Sequence, residues 1–228
     1  MVLKRVMLRQ LLRSHDGNVL VEAAVMMTIM FIFVLGGIDF LFAFYQWNAA
    51  VKAVEIGARI AAVSNPVVAN GLNGLSAAVV ANASAAAGSP MPDFSVTCSG
   101  ATSTCTCTGT CTGVSGYSAS AMNTIVFGRG SSACNDATSV YTTGMCDVFP
   151  RIAAANVVVA YTHKQSGTDT GLGYAGRPGG PVPTITVSLQ NLPFQFYFLG
   201  GLLNFANINI PGLTTSITGE DLSSSAPL

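Results

Sequence analysis

Six cysteines are the residues whose types and spacing most directly suggest chemistry: Cys98, Cys105, Cys107, Cys111, Cys134 and Cys146. All six follow a long apolar run, and an even number of cysteines on the oxidising side of a membrane is typical of disulfides. One pair, Cys134 with Cys146, is favoured by the sequence, because Cys105 and Cys107 can each serve the other's partner equally well. The remaining pairing stays open.

A metal site is the alternative for the same cysteines. Cys105, Cys107 and Cys111 form a C-x-C-x3-C pattern that can present thiolates, but no histidine lies near them and the C-x2-C spacing typical of zinc is absent. We therefore expect disulfides, with no metal and no cofactor. Because residues 98–116 are almost entirely Cys, Thr, Ser and Gly, we expect a loop that is held by crosslinks instead of an apolar core.

Groups suited to catalysis are few. The two histidines are His15 and His163, and His163 ends a predicted strand, where we expect an exposed polar side chain. The sequence contains no G-x-S-x-G, H-E-x-x-H or Walker motif, and its Asp136, Asp147 and Asp169 are isolated carboxylates. We therefore expect no catalytic residue and no enzymatic activity.

Gly17 and Glu22 form a second pattern, in which a glycine is followed five residues later by a carboxylate that enters an apolar run. An ionisable group in that position needs a partner. If the chain is cut after Gly17, the new α-amino group of Asn18 is charged near neutral pH and can pair with Glu22 of the same subunit or of a neighbour. In the uncut chain, Arg13 lies nine residues from Glu22. The sequence therefore predicts processing at this junction.

The apolar run from Ala23 to Val51 is 29 residues long and carries one charged residue, Asp39. As a helix it would reach about 43 Å at ~1.5 Å per residue, which exceeds the ~30 Å hydrocarbon thickness of a bilayer. The apolar region of a cleaved secretory signal is shorter, at about 7–15 residues. We therefore expect a transmembrane anchor, with Tyr45 and Trp47 at its outer interface.

Composition and charge agree with an anchored protein. Only 9% of the 228 residues are charged and the formal net charge is zero, so no electrostatic basis for binding nucleic acid exists. A basic leader, residues 1–17, precedes the run, which is typical of a terminus that stays in the cytoplasm. We expect residues 18–65 to form the helix, because Pro66 disfavours helical geometry at Asn65, and residues 66–228 to be exported.

Beyond the apolar run, polar side chains recur on one face of the predicted helix: Asn48, Lys52, Glu55 and Arg59. This face is either a solvated surface stabilised by i,i+4 pairs or a contact with another filament-type subunit. Both interpretations place the neighbouring small apolar residues on other faces of the helix.

The sequence pattern predicts that residues 66–228 form a small, disulfide-containing α+β domain with a mainly antiparallel sheet. Alternating or buried apolar patterns predict strands, and an alanine-rich stretch predicts a short helix from Ser76 to Ala87. Residues 118–127 fit either a helix or a strand. The predicted strands cover residues 94–98, 156–163, 184–189 and 213–218.

An aromatic stretch, LPFQFYFLGGLLNF at residues 192–205, is too short and too broken by proline and glycine to span a bilayer. Its side chains are either buried in the core of the domain or exposed as a patch for a partner or the membrane surface. We expect at least part of the stretch to be exposed. The candidate partner-contact residues are Phe194, Phe196, Tyr197 and Phe198.

The leader RQLLRSHDG, the junction GNVLVEAAV, the segment GGIDF and, above all, AAVKAVEIGARIAA resemble the TadE/TadG-like family of tight-adherence (Flp) pilus assembly proteins. This resemblance implies a single-pass inner-membrane pseudopilin or minor pilin, with a cytoplasmic N-terminus and a domain in the periplasm or on the pilus. It implies as partners the membrane, other pilin-like subunits, the Tad secretion platform and a prepilin peptidase. The alternative is a membrane-anchored extracytoplasmic binding module or adhesin that never enters a filament.

The basic leader yields a first test, of topology. Four basic residues precede the apolar run and outweigh Lys52 and Arg59 after it, so the N-terminus should stay in the cytoplasm. A reporter that works only in the periplasm should be active when fused after Leu228, and a cytoplasmic reporter at the same site should be inactive. The reverse pattern of activities would overturn this topology.

Overall fold

The computed structural model of the chain describes residues 15–71, 75, 93–109, 114, 116–135, 143–163, 182–198, 200–201, 208–219 and 222. These residues belong to two compact units. One contains the chain up to Tyr45 together with Gln195–Ile208, and the other contains Gln46–Phe194 and Asn209–Leu228. The long apolar helix, the antiparallel sheet and the cysteine pairs confirm the predicted α+β fold class.

The first helix, α1, spans His15–Ala62 without interruption over 48 residues. It ends three residues before Asn65, close to the end that Pro66 predicts. Residues up to Tyr45 belong to the first unit, and residues from Gln46 onward belong to the second. One helix therefore contributes to both units.

The sheet of the second unit has five antiparallel strands in the order β2-β1-β3-β4-β5. Their bounds are β1 Phe94–Ser99, β2 Thr104–Gly109, β3 Val157–His163, β4 Thr184–Leu189 and β5 Leu213–Thr218. Alternate residues of β1, β3 and β4 are buried on one face, as period-two patterning requires. The predicted strands at 94–98, 184–189 and 213–218 agree with the observed ones.

Two short helices and a 3-10 turn lie between β2 and β3: α2 Ala119–Phe127, α3 Met145–Val148 and Ala154–Asn156. The structure resolves the ambiguity at 118–127 in favour of a helix. The Ser118 side chain caps α2 by accepting a hydrogen bond from the backbone N–H of Ala121 at 3.3 Å. The inner face of α2 buries Met122 and Ile125. The helix predicted from Ser76 to Ala87 lies outside the described residues.

The core of the second unit includes one face of α1 as well as the sheet. Ala50, Ala53, Val54, Ala58 and Ala61 are buried in the same cluster as Val96, Val159 and Val187. These α1 positions recur at helical spacing, so they form a continuous stripe. The second half of α1 is therefore a core element of the domain.

The expectation of a crosslinked loop at residues 98–116 is wrong in part. Residues 104–109 form the edge strand β2, paired with β1 so that Cys98 faces Cys105. Threonine alternates with cysteine and glycine there, and its branched side chain favours strands even without an apolar face. A disulfide joins Cys98 to Cys105 across the strand pair, so the crosslink reinforces a sheet edge.

The second described disulfide joins Cys134 to Cys146, the pair that the sequence favours. Cys107 is also disulfide-bonded, and Cys111 lies outside the described residues. Among the described residues no cysteine is free. Each of the two bridges named here closes a short segment, with sequence separations of 7 and 12 residues.

The expectation that His163 is exposed is also wrong, because its side chain is buried. It is the last residue of β3 and shares the inward face with Val157, Val159 and Tyr161. It also lies opposite Phe94 in the register between β1 and β3. Strand periodicity therefore decides the orientation of this polar residue.

The segment after α1 is attached to the domain through backbone groups. The N–H of Val67 donates to the phenol oxygen of Tyr161 at 2.9 Å, and the carbonyl of Val67 accepts from the N–H of Ser118 at 2.7 Å. The Arg129 guanidinium donates to the carbonyl of Val63 at 2.9 Å. Burial raises the pKa of the Tyr161 phenol, so this side chain stays neutral across the physiological range.

Loss of the Tyr161 hydroxyl should destabilise the domain. In Tyr161→Phe the buried N–H of Val67 loses its acceptor, which should lower the free energy of unfolding by about 1–3 kcal/mol. Urea unfolding in detergent, followed by far-ultraviolet circular dichroism, measures this loss. The matched control is Tyr117→Phe at a half-buried tyrosine, where we expect a smaller change. Equal stability of the two variants would contradict the assigned role of the hydroxyl.

Candidate functional site

The first half of α1 presents apolar side chains on all its faces. By length and composition it is the one helix among the described residues that is able to cross a membrane. Its large apolar side chains from Val19 to Tyr45 are mostly exposed in the protein itself, with Phe33 at 77% and Leu20 at 73%. Such an apolar surface is compatible with the hydrocarbon interior of a bilayer, and it supports single-pass anchoring.

Asp39 is the exception on this surface. Its side chain is fully buried, although its neighbours Ile38 and Phe40 are exposed. One carboxylate oxygen accepts from the N–H of Tyr197 at 3.0 Å, and the other accepts from the N–H of Phe198 at 2.9 Å. Two adjacent amides therefore cover the one charged residue of the apolar run.

We call residues Gln195–Phe198 the aromatic cover. In addition to its bonds to Asp39, the cover contacts α1 through Tyr197, whose ring lies edge-on to Phe42 with centroids 4.9 Å apart. Phe42 also stacks on Tyr45 one turn further along, at 6.2 Å. The polar bonds and the ring contact involve the same short stretch of α1, so they fix the cover on the helix.

The ends of the stretch that carries the aromatic cover approach each other in the second unit. Pro193 and Asn209 form an isolated antiparallel bridge, and the N–H of Ile210 donates to the carbonyl of Leu192 at 2.7 Å. Both ends of the stretch between β4 and β5 are therefore held by backbone pairing. The side chains of Leu192 and Ile210 are buried in the core.

The four predicted partner-contact residues lie in different environments. Phe194 is half-buried against the core of the second unit, and Phe196 is also half-buried. Tyr197 and Phe198 are exposed, at 59% and 43%. Part of the aromatic stretch is thus exposed as expected, whereas its contact with a partner stays a prediction.

Sequence reasoning did not identify the partner of Asp39. The signal was present, because a lone carboxylate inside an apolar run requires a partner and marks a functional position. The partner is a pair of backbone amides 158 and 159 residues away. Nearly every residue has a backbone N–H, so no pattern of residue types could identify the amides of Tyr197 and Phe198 as the partners.

The junction residues Gly17, Asn18 and Glu22 all lie within α1, which begins at His15. Asn18 and Glu22 are therefore one helical turn apart, the spacing at which helix positions share a face. The Glu22 side chain is exposed. This geometry suits a pairing between the carboxylate and an amine at position 18, while processing itself stays a prediction.

In the second half of α1, the predicted polar face carries one described ion pair. Lys52 donates to Glu55 at 2.8 Å, and both residues are partly or largely exposed. This hydrogen bond and the positive charge of Lys52 lower the pKa of the Glu55 carboxyl. Trp47, expected at the membrane interface, instead packs partly buried against the domain core, whereas Tyr45 is exposed.

Gly57 shows why the GAR segment requires a residue without a side chain. A Cβ atom at this position would lie 2.5 Å from Sδ and 2.8 Å from Cγ of Met145 in α3. Met145 is itself fully buried, so it has little space to move aside. About three turns earlier on the same helix, the buried Gln46 accepts a hydrogen bond from Arg151 at 2.8 Å.

Asp147, an isolated carboxylate in the sequence, has a structural role beside the second disulfide. Its two oxygens accept from the N–H of Asn135 at 2.6 Å and from the N–H of Gly144 at 2.7 Å. Asn135 follows Cys134, and Asp147 follows Cys146. The carboxylate therefore links the same two segments of the chain that the disulfide joins. Within the described ranges, no group of three or more His, Cys, Asp or Glu residues is arranged to hold a metal ion.

An apolar helix able to cross a membrane and a disulfide-bonded α+β domain are the two features that define this chain. Residues 17–59 match the model of the TadE-like protein family. This is the family that the sequence resembles, and the recognition is confirmed. The match covers the junction, the apolar run and the core-forming turns that contain Gly57. No curated protein and no solved structure matches the chain.

Loss of the Asp39 carboxylate should release the aromatic cover. In Asp39→Ala, the amides of Tyr197 and Phe198 lose their acceptors, so their hydrogen exchange should accelerate. Asp39→Asn, which keeps one acceptor oxygen, should give an intermediate rate. Hydrogen-exchange mass spectrometry of the full chain in detergent measures both.

The matched control for this experiment is Asp147→Ala, because Asp147 also accepts from two backbone amides. This variant should accelerate exchange at Asn135 and Gly144 and leave residues 197 and 198 unchanged. Unaltered exchange at residues 197 and 198 in Asp39→Ala would refute the role of Asp39.

Proposed function

We propose that this protein is a structural, pilin-like component of Tad (Flp) pilus assembly, as a pseudopilin or minor pilin. The observation that carries the proposal is the TadE-like match over residues 17–59. The matched segment contains a glycine-to-glutamate junction, an exposed apolar helix and a helical segment built into the domain core. A subunit of this design joins others through its helix and presents its domain outside the membrane.

The proposed location is the inner membrane, with the N-terminus in the cytoplasm and the domain in the periplasm or on the pilus. The basic leader supports this orientation through the positive-inside rule. The disulfides of the domain support an oxidising compartment. The proposed partners are the membrane, other pilin-like subunits and the Tad secretion platform.

Assembly would depend on the junction. Removal of residues 1–17 leaves Asn18 with a charged amine at the start of α1, where a positive charge opposes the helix dipole. Glu22, exposed one turn further along, complements the dipole and can neutralise the amine of its own or a neighbouring subunit. Pairing with a neighbour would align the helices of adjacent subunits along their axes.

The proposed role is structural and not catalytic. Asp147 accepts two backbone amides, and Glu55 pairs with a lysine. The buried Tyr161 phenol accepts a backbone amide. These contacts support the architecture of the domain, which is the function that we assign to them.

Processing at Gly17 provides the test. Replacing Gly17 with a bulky residue should leave the protein longer by the leader and inactive in assembly. Glu22→Ala should still be cut yet assemble poorly, because the new amine lacks its partner. N-terminal sequencing of membrane-purified protein and a count of surface pili measure these outcomes.

The control variant is Glu55→Ala, which removes a partly exposed carboxylate outside the junction and should be processed normally. Wild-type protein that begins at Met1 in its native membrane would refute processing. Normal piliation in both junction variants would refute the pilin-like role and favour a static anchor.

A further inference from the structure

The aromatic cover leaves two large side chains exposed beside an apolar helix. Tyr197 and Phe198 lie on α1 next to Asp39, and Phe40, Leu41 and Phe44, on other faces of the same helical turns, are also exposed. All of these residues belong to the first unit. The exposed side chains of the cover therefore add to the apolar surface that α1 itself presents.

The depth of Asp39 along α1 places this surface within the membrane. Asp39 lies about 24 Å along the helix from Ala23, at ~1.5 Å per residue, inside a hydrocarbon layer of ~30 Å. The main-chain groups of a non-helical segment at such a depth must be satisfied by the protein. Asp39 satisfies two of them, and the amides in turn cover the carboxylate.

The composition of the stretch identifies the occupant of this surface. Residues 190–219 contain no charged residue, so the cover offers no ionic contact to a protein partner. Its exposed side chains are an uncharged glutamine, a tyrosine and a phenylalanine, and tyrosine is enriched where membranes meet water. The attachment of the cover to the apolar helix and the absence of charge both favour lipid as the occupant of this surface.

We propose that the aromatic cover is a second membrane-inserted element, which Asp39 holds in the leaflet where α1 leaves the bilayer. Tyr197 and Phe198 contact lipid acyl chains, and Asp39 is the positioning residue that keeps the non-helical backbone paired there. The proposal rests on the membrane anchoring of the proposed function. It adds lipid as the ligand of a surface that is remote in sequence from the anchor.

The test uses the full chain in nanodiscs of phosphatidylcholine and phosphatidylglycerol, with Trp47→Phe to remove the natural indole. Phe198→Trp then reports on the cover, Phe33→Trp on the exposed middle of the apolar helix, and Ala101→Trp on the exposed turn between β1 and β2. Phosphatidylcholine brominated on its acyl chains quenches an indole in hydrocarbon, and iodide quenches one in water.

We expect the indole at position 198 to behave like the indole at position 33. Brominated lipid should quench most of its fluorescence, and iodide should quench little. The indole at position 101 should show the opposite pattern. Adding Asp39→Ala to the position 198 variant should shift its quenching from brominated lipid toward iodide. Formation of the domain disulfides in each variant, measured by intact mass, checks that the domain has folded.

Each failure has a distinct meaning. If brominated lipid does not quench the indole at position 33, the proposed membrane anchoring is wrong, and the proposed insertion of the cover is wrong with it. If position 33 is quenched and position 198 responds only to iodide or to neither quencher, the lipid proposal alone is overturned, and the surface faces water or another protein. If Asp39→Ala leaves the quenching at position 198 unchanged, the positioning role of Asp39 is overturned.

Discussion

The burial of one stripe of α1 in the domain core is the constraint on which the rest of the second unit depends. A single unbroken helix exposes large apolar side chains up to Tyr45 and buries small ones from Ala50 onward. Small residues permit close packing, and Gly57 shows how close, because an added Cβ would collide with Met145. The change from large to small side chains along one helix divides its exposed apolar part from the part that packs in the domain core.

A carboxylate that accepts two backbone amides is found in each of the two units. Asp39 accepts two amides of the aromatic cover, and Asp147 accepts two amides on either side of a disulfide. Hydrogen bonds to a charged acceptor are stronger than those between neutral groups. In both places a short acidic side chain therefore fixes a non-helical segment through its backbone.

The sequence allowed much of this architecture to be predicted, because its patterns are periodic. The length of the apolar run, the stop at Pro66 and the alternation in TITVSL each depend on local spacing, and the structure agrees with them. The edge strand β2 escaped prediction because threonine and cysteine lack the apolar alternation that marks a strand.

His163 and Asp39 show the limit of the same reasoning at single residues. A polar residue at a strand end is expected in water, yet register placed His163 on the inward face. Asp39 was recognisable as a costly charge, but its amide partners depend on a tertiary contact between distant segments. The sequence therefore indicates that Asp39 needs a partner, but it does not indicate which groups supply one.

The separation between Asp39 and its cover sets an order of events during synthesis. The ribosome completes α1 long before it reaches Tyr197, which lies 158 residues after Asp39, and the cover lies between β4 and β5, the last strands of the sheet. Both described disulfides join cysteines that precede β3. Asp39 therefore lacks the two amides of the cover until the ribosome has passed β4, and a product that stops before Tyr197 never gains them.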